Sequence, residues 1–304
     1  AAPFRVRQTP EKIVILRGEK SMLTYRVTAP PAPDGIDPIY RRSGYLHPVN
    51  TPQGVAVTEA FPLDHPHQHG VFTAWVRTSY DGKPVDFWNL AAGAGRVLHE
   101  RVVSIDAASE SAGFEVDLLH RVESSPPVDV LRERWKIRAV ATDDSHFCFD
   151  LETTQSAITD VPLVVLEYHY GGVAFRGPAQ WLSPADREGS RPDSSGREPS
   201  AMLNNLGSDR RQGNHQRARW IALTGQVDGR SATTAVLGHR DNFRAPQSAR
   251  LHPTKPYFCF APCVDGEFVI DREHPYRARF RYLVTDAAPD AEWLDQQWQS
   301  WCGE

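Results

Sequence analysis

Apolar and polar residues alternate along most of this chain. "KIVILRGEKSMLTYRVTA" reads as two short strands about a polar turn, and "RVLHERVVSID", "AGFEVDLLHRVESS" and "DVLRERWKIRAVATDDSHFCFDLETTQSAI" keep the same period. Period two sends successive side chains to opposite faces of a strand. The pattern returns in "VVLEYHYGGVAFR", "ARWIALTGQVDGRSATTAVLGH", "YFCFAPCVDGEFVID" and "YRARFRYLVTD". Turns such as "ASESAG", "SSPP", "VDGR" and "VDGE" separate runs of about 5–8 residues, the usual length of a strand. Only the tail "APDAEWLDQQWQSW" has helical spacing. Asp290 stands where an N-cap belongs, and Leu294, Trp298 and Trp301 share one face. The pattern predicts one all-β domain over residues 1–304, a sandwich or barrel of about fifteen or more strands with a short C-terminal helix.

One stretch breaks the alternation. Residues 183 to 216, "SPADREGSRPDSSGREPSAMLNNLGSDRRQGNHQ", are polar and rich in Ser, Pro, Gly and Arg. A connection of this length is expected to be a loop insertion, either disordered or a lid over a site. Composition narrows the partners. The chain has 304 residues, a net charge of −4 and 40 % apolar residues. Charges of both signs are mixed along it, so neither nucleic acid nor an anionic membrane is an expected partner. No apolar run approaches the roughly 20 residues that span a bilayer. The chain starts "AAPFRV" without an initiator Met. That start suggests a mature periplasmic or secreted form, with a cytoplasmic one as the alternative. Four cysteines do not make a disulfide framework in a chain this long; Cys148, Cys259 and Cys263 are expected as free buried thiols, and Cys302 near the terminus is left open.

The candidate chemistry begins with "DHPHQHGVFTAWV". In a straight strand His65, His67 and His69 would share a face at roughly 6.6 Å per pair. The outer two would then be too far apart for one ion. Three-point ligation needs a loop, which Pro66 and Gly70 permit. Imidazole with carboxylate suits a single divalent zinc, iron, copper or nickel ion. "LEYHYGG" offers Glu167 and His169, two apart on one strand face. Without metal the same residues suit proton exchange on a sugar, with stacking rings drawn from Trp75, Phe87, Trp88, Tyr168, Tyr170 and Trp181. Two further polar sets are "GHRDNFRAP", with His239, Arg240, Asp241, Asn242 and Arg244, and "GYLHPVNTPQG", with Tyr45 and His47. Arg176 closes the run after Glu167 and can pair with a carboxylate. There is no G-x-S-x-G elbow.

Taken together, "GYLHPVNTPQGVAVTEAFPLDHPHQHGVFTAWV", "VDFWNL", "EYHYGGVAFR", "GHRDNFRAP" and "FAPC" resemble a bacterial family labelled methane oxygenase PmoA, over about residues 40 to 300. That family is similar in fold to galactose mutarotases, so the resemblance implies a large antiparallel β-supersandwich with a sugar cleft on its concave face. It also implies His acid and Glu base chemistry without metal. The matching positions are His47, His65, His67, His69, Asp86, Trp88, Glu167, Arg176, Asn242 and Pro246. Gln68 stands where the family often has a further His, and His239–Arg240 where an Asp–His pair is frequent.

The expected function is a carbohydrate-active enzyme acting by epimerisation, β-elimination or glycosidic cleavage on a small sugar or oligosaccharide, with no cofactor. His67 or His69 would be the acid and Glu167 or His169 the base. His47, Trp88, Tyr170, Arg176, His239 and Asn242 would bind substrate. Two alternatives stand beside it. One is a metal-dependent hydrolase or oxygenase on His65, His67 and His69. The other is a non-catalytic sugar-binding module.

Overall fold

A computed structural model describes residues 2–186 and 198–303. Two eight-stranded antiparallel sheets face each other, and a four-stranded sheet lies beside them. The first sheet runs Phe4–Gln8, Lys12–Arg17, Lys20–Arg26, Leu46–Val49, Val71–Ala74, Gly172–Arg176, Tyr257–Phe260, Ala249–Leu251. The second runs Ser200–Asn204, Trp220–Val227, Arg230–Gly238, Tyr276–Thr285, His146–Ala157, Val128–Val140, Ser111–Val122, Gly95–Ala108. The small sheet orders Phe268–Ile270, Leu163–Val165, Thr78–Tyr80 and Lys83–Val85. The expected all-β sandwich with a C-terminal helix is what the chain forms.

Alternation explains the packing. Along Val128–Val140, Trp135, Ile137 and Ala139 are buried while Lys136 and Arg138 are exposed. Trp135 and Phe114 meet Tyr25 of the first sheet, with ring centroids 6.4 and 5.4 Å away. Phe260 meets Phe280 at 5.1 Å across the same interface. The buried carboxylate there is paired, which offsets the cost of taking it out of water. Glu133 accepts hydrogen bonds from Trp135 Nε1 and Thr153 Oγ1, and His120 Nε2 lies 2.7 Å from its other oxygen. The helix Ala291–Cys302 is capped by Asp290, whose carboxylate accepts from Trp293 N, and it buries Leu294 and Trp298. No helix among the described residues is long and apolar enough to cross a membrane.

Two expectations need revision. Glu167 and His169 do not share a strand face: residues 166–171 are a loop between Leu163–Val165 and Gly172–Arg176. Gly171 has φ of 146°, a backbone turn that glycine permits just before the strand begins. The polar stretch from 183 to 216 is not loop throughout, because Ser200–Asn204 forms an edge strand paired with Trp220–Val227. Residues 187–197 of that insertion, and with them the lid or disorder reading there, lie outside the described residues. Cys148, Cys259 and Cys263 are buried free thiols, as expected, and Cys302 is buried too.

Candidate functional site

Strand register decides which face of the first sheet carries chemistry. Thr73 accepts from Gln155 of the second sheet, so it points inward. Its register partners Val173, Phe260 and Ala249 point inward with it. Their neighbours in the chain must therefore face away from the second sheet. Phe72, Ala174, Cys259 and Arg250 form one such outer row, and Arg176 pairs with Tyr257 one step along. Loops 59–70 and 252–256 lie over this outer face and bring the remaining groups. Gly70 makes the first loop possible. Its φ is 54°, and a Cβ there would sit 2.0 Å from the Leu46 carbonyl oxygen. Its amide donates to Glu59 O and its carbonyl accepts from Arg176 N.

Arg176 is wholly buried. Its Nη2 donates to Asp64 Oδ1 at 2.6 Å, and its Nη1 donates to Asp64 Oδ2 at 2.9 Å and Gln68 Oε1 at 3.0 Å. This bidentate clamp fixes the Asp64 carboxylate. Burial pushes Asp64 up, but hydrogen bonds from His65 and Arg176 outweigh it and hold the carboxyl well below the usual range. Asp64 Oδ2 lies 2.9 Å from His65 Nδ1. A carboxylate only accepts, so a proton is on Nδ1, and in the neutral form of the ring His65 Nε2 is the bare nitrogen. His252 is set the other way. Its Nδ1 accepts from Thr254 N at 3.3 Å and Lys255 N at 3.1 Å, which puts the proton on Nε2. The His65 ring lies 6.4 Å from His252 and 5.4 Å from His67. Burial, then the charges of His65 and Arg176, lower His67 to about 4. Burial, then Arg250 and Lys255, lower His252 to about 4. Both are neutral near pH 7. Glu59 behaves oppositely: burial raises its carboxyl to about 7 against the pull of Arg176, and its Oε2 is buried without a partner. Lys255 Nζ sits between Asp64 and Asp186, 3.7 and 3.4 Å away.

Rings continue from this cluster. His252 meets Tyr257 at 6.2 Å, Tyr257 meets Trp88 at 5.8 Å, Trp88 meets Tyr170 at 5.2 Å, and Tyr170 meets Tyr168 at 5.1 Å. Tyr168 and Tyr170 are half-buried, while Glu167 and His169 are exposed on the rim. Burial raises the Tyr170 hydroxyl to about 12, so it stays protonated. His215 Nε2 donates to the His169 carbonyl at 3.0 Å. A cleft of about 470 Å³ opens beside Tyr168, lined also by Arg77, Asp86, Asn89 and Leu166.

The structure thus brings His65, His67, Tyr170 and His169 to one face, with Arg176 beneath. Other expected residues stand elsewhere. His69 has no exposed surface. It packs on Tyr45 and Phe61, and its Nε2 donates to the Tyr40 carbonyl at 2.9 Å. Burial, then Arg42, keeps it neutral, so it does not suit the acid role. For the same reason the His65, His67 and His69 set does not fit one metal ion. His65 Nδ1 faces Asp64 and His69 faces away, and among the described residues no three His, Cys, Asp or Glu side chains converge on a common point. His47 is on the outer face but half-buried, with Nδ1 2.9 Å from Thr58 Oγ1. Trp88 is buried beneath Tyr170 and supports that ring rather than presenting its own. His239 and Asn242 are not on this face. They tie the end of Arg230–Gly238 to Arg279, and His239 packs edge-on against Trp301 of the helix.

The sequence reading passed over Glu59, Asp64, Arg250, His252 and Lys255. One signal was available: His-Pro pairs at 47–48, 65–66, 252–253 and 274–275, the first three of which fall on this face. Gln68, which looked like a departure from the family pattern, is a ligand of the Arg176 clamp.

Residues 12–299 match a family described as a family of unknown function, DUF6807, so the chain belongs to that family. It carries no methane-oxygenase description. No curated protein sequence matches the chain. Among solved structures it is similar to a putative kojibiose phosphorylase from human microbiome, at 6 % identity and a TM-score of 0.37. That match covers 100 % of this chain and 36 % of the other, so the chain spans about a third of that protein's length. It is also similar to the Slr1438 protein from Synechocystis sp. PCC 6803, at 7 % identity and a TM-score of 0.40, covering 94 % of this chain and 97 % of that one.

Proposed function

We propose that this member of the DUF6807 family is a carbohydrate-active enzyme that moves protons on a sugar or glycoside at the outer face of its first sheet. The observation that carries this is the pair His65 and His252. Their rings lie 6.4 Å apart, and hydrogen bonds hold them in opposite proton states, one with a bare Nε2 and one with an Nε2–H. A neutral His65 can take a proton at Nε2, while the neutral His252 donates a hydrogen bond from Nε2–H to a substrate oxygen on which negative charge develops. Glu59, with its carboxyl near 7, adds a group that serves either way at neutral pH. Proton transfer at a ring carbon or at the anomeric oxygen underlies epimerisation, β-elimination and glycosidic cleavage alike.

Two features favour a sugar. Fixed polar donors and acceptors crowd one open face, matching a ligand dense in hydroxyls. Tyr168 and Tyr170 bound that face with rings whose apolar surfaces suit the C–H side of a pyranose. His67 completes the floor. Glu167 and His169 would meet the ligand from the rim. Arg176 acts through Asp64 and is a positioning residue.

The test compares His65→Gln and His252→Gln with the unaltered protein on a panel of glycosides, by polarimetry and reducing-end release. Each variant should lose roughly 10²–10⁴-fold in turnover with its circular dichroism retained. Full turnover in both would refute the reading. Sugar binding without turnover in the unaltered protein would favour a binding module instead.

A further inference from the structure

We propose that Arg250 receives a carboxylate of the substrate, which makes the ligand an acidic sugar. This rests on the sugar reading above and narrows it. Arg250 lies on the outer row of the edge strand Ala249–Leu251, in register with Cys259. Asn214 fixes it at one corner: Asn214 Oδ1 accepts from Arg250 Nη1 at 3.1 Å and from Leu251 N at 3.2 Å. Arg250 forms no ion pair with a carboxylate among the described residues. The contrast with its surroundings is direct. Arg176 is saturated by Asp64 and Gln68, and Lys255 lies between Asp64 and Asp186. Asp64 and Asp186 are therefore taken up by other cations.

Arg250 also sits where a ligand would bridge the two halves of the site. Its charge acts on His169 at the rim, on His252 at the floor and on Tyr257 between them. The backbone around it is held in an uncommon shape. His215, next to Asn214, has a φ of 65°, and it donates through its amide to Ala249 O and through Nε2 to His169 O. A non-glycine residue in the left-handed region costs free energy and persists where the surroundings impose it. Here the imposed turn fastens the rim loop to the strand that carries Arg250. A planar guanidinium bonded to one neutral acceptor has the rest of its fork available to a carboxylate, which it can grip with two parallel hydrogen bonds.

The experiment is an NMR titration of the whole chain with matched pairs: glucuronate and glucose, galacturonate and galactose, and short oligomers of each. A sulfated galactose is added as a second anion, and Arg250→Gln is run beside the unaltered protein. An acidic member should bind roughly tenfold or more tightly than its neutral partner, with that preference lost in Arg250→Gln. Equal binding of acidic and neutral sugars, or a preference that survives Arg250→Gln, would overturn the assignment and leave the sugar reading standing. Preference for the sulfate ester over the carboxylate would overturn it too. Absence of binding by every sugar would overturn both.

Discussion

Replacing Arg176 by Met tests the centre of the site. The guanidinium is wholly buried and the Asp64 side chain is 10 % exposed. Removing one partner of such a pair leaves the other charge buried and uncompensated, at about 3–5 kcal/mol. Asp64 keeps His65 at 2.9 Å and Lys255 at 3.7 Å, so the lower end applies, about 3 kcal/mol. With an unfolding entropy of about 2.1 cal/mol/K per residue, the chain should melt roughly 5 °C lower. The pH dependence provides a second check. Asp64 has a depressed pKa in the folded chain, so its stabilising contribution is present above the unfolded value of about 3.9 and is lost as pH falls through the folded value. The gap between the unaltered protein and Arg176→Met should therefore be widest near pH 7 and close progressively below about pH 4. Urea unfolding at several pH values reads both quantities. A cost below about 1 kcal/mol at pH 7, or a gap that does not narrow in acid, would refute the clamp.

Two further outcomes follow from the same geometry. Glu59 is raised to about 7, so its contribution favours folding below about pH 4.5 and is lost as pH rises through 7. Glu59→Gln should flatten the fall in stability between pH 5 and 8, by up to about 3 kcal/mol, and an unchanged slope would show that the carboxyl is solvated. Gly70→Ala should cost at least about 2 kcal/mol, because φ is 54° and the new Cβ would meet the Leu46 carbonyl, and thermal melting at the unaltered temperature would contradict this.

Local pattern determined the elements. Period-two alternation in "DVLRERWKIRAV" fixes which side chains enter the core, because a strand has only two faces, and Asp290 before an apolar helical stripe marks the helix start. The sequence also marked the histidine loop as chemically dense. Which of its members act was decided by tertiary structure. His65, His67 and His69 look equivalent in the chain, yet the loop over Gly70 turns His69 into the protein against Phe61 and Tyr45 and leaves His65 on Asp64. His252 and Arg250 come from a strand and loop nearly 200 residues further on, and only the pairing of Tyr257–Phe260 with Gly172–Arg176 carries them to the same face. Proton positions on His65 and His252 depend on hydrogen-bond partners fixed by the folded loops. Periodicity reports which way a side chain points from its own strand, whereas a site is made of groups that meet across strands, and only the sheet register sets that meeting.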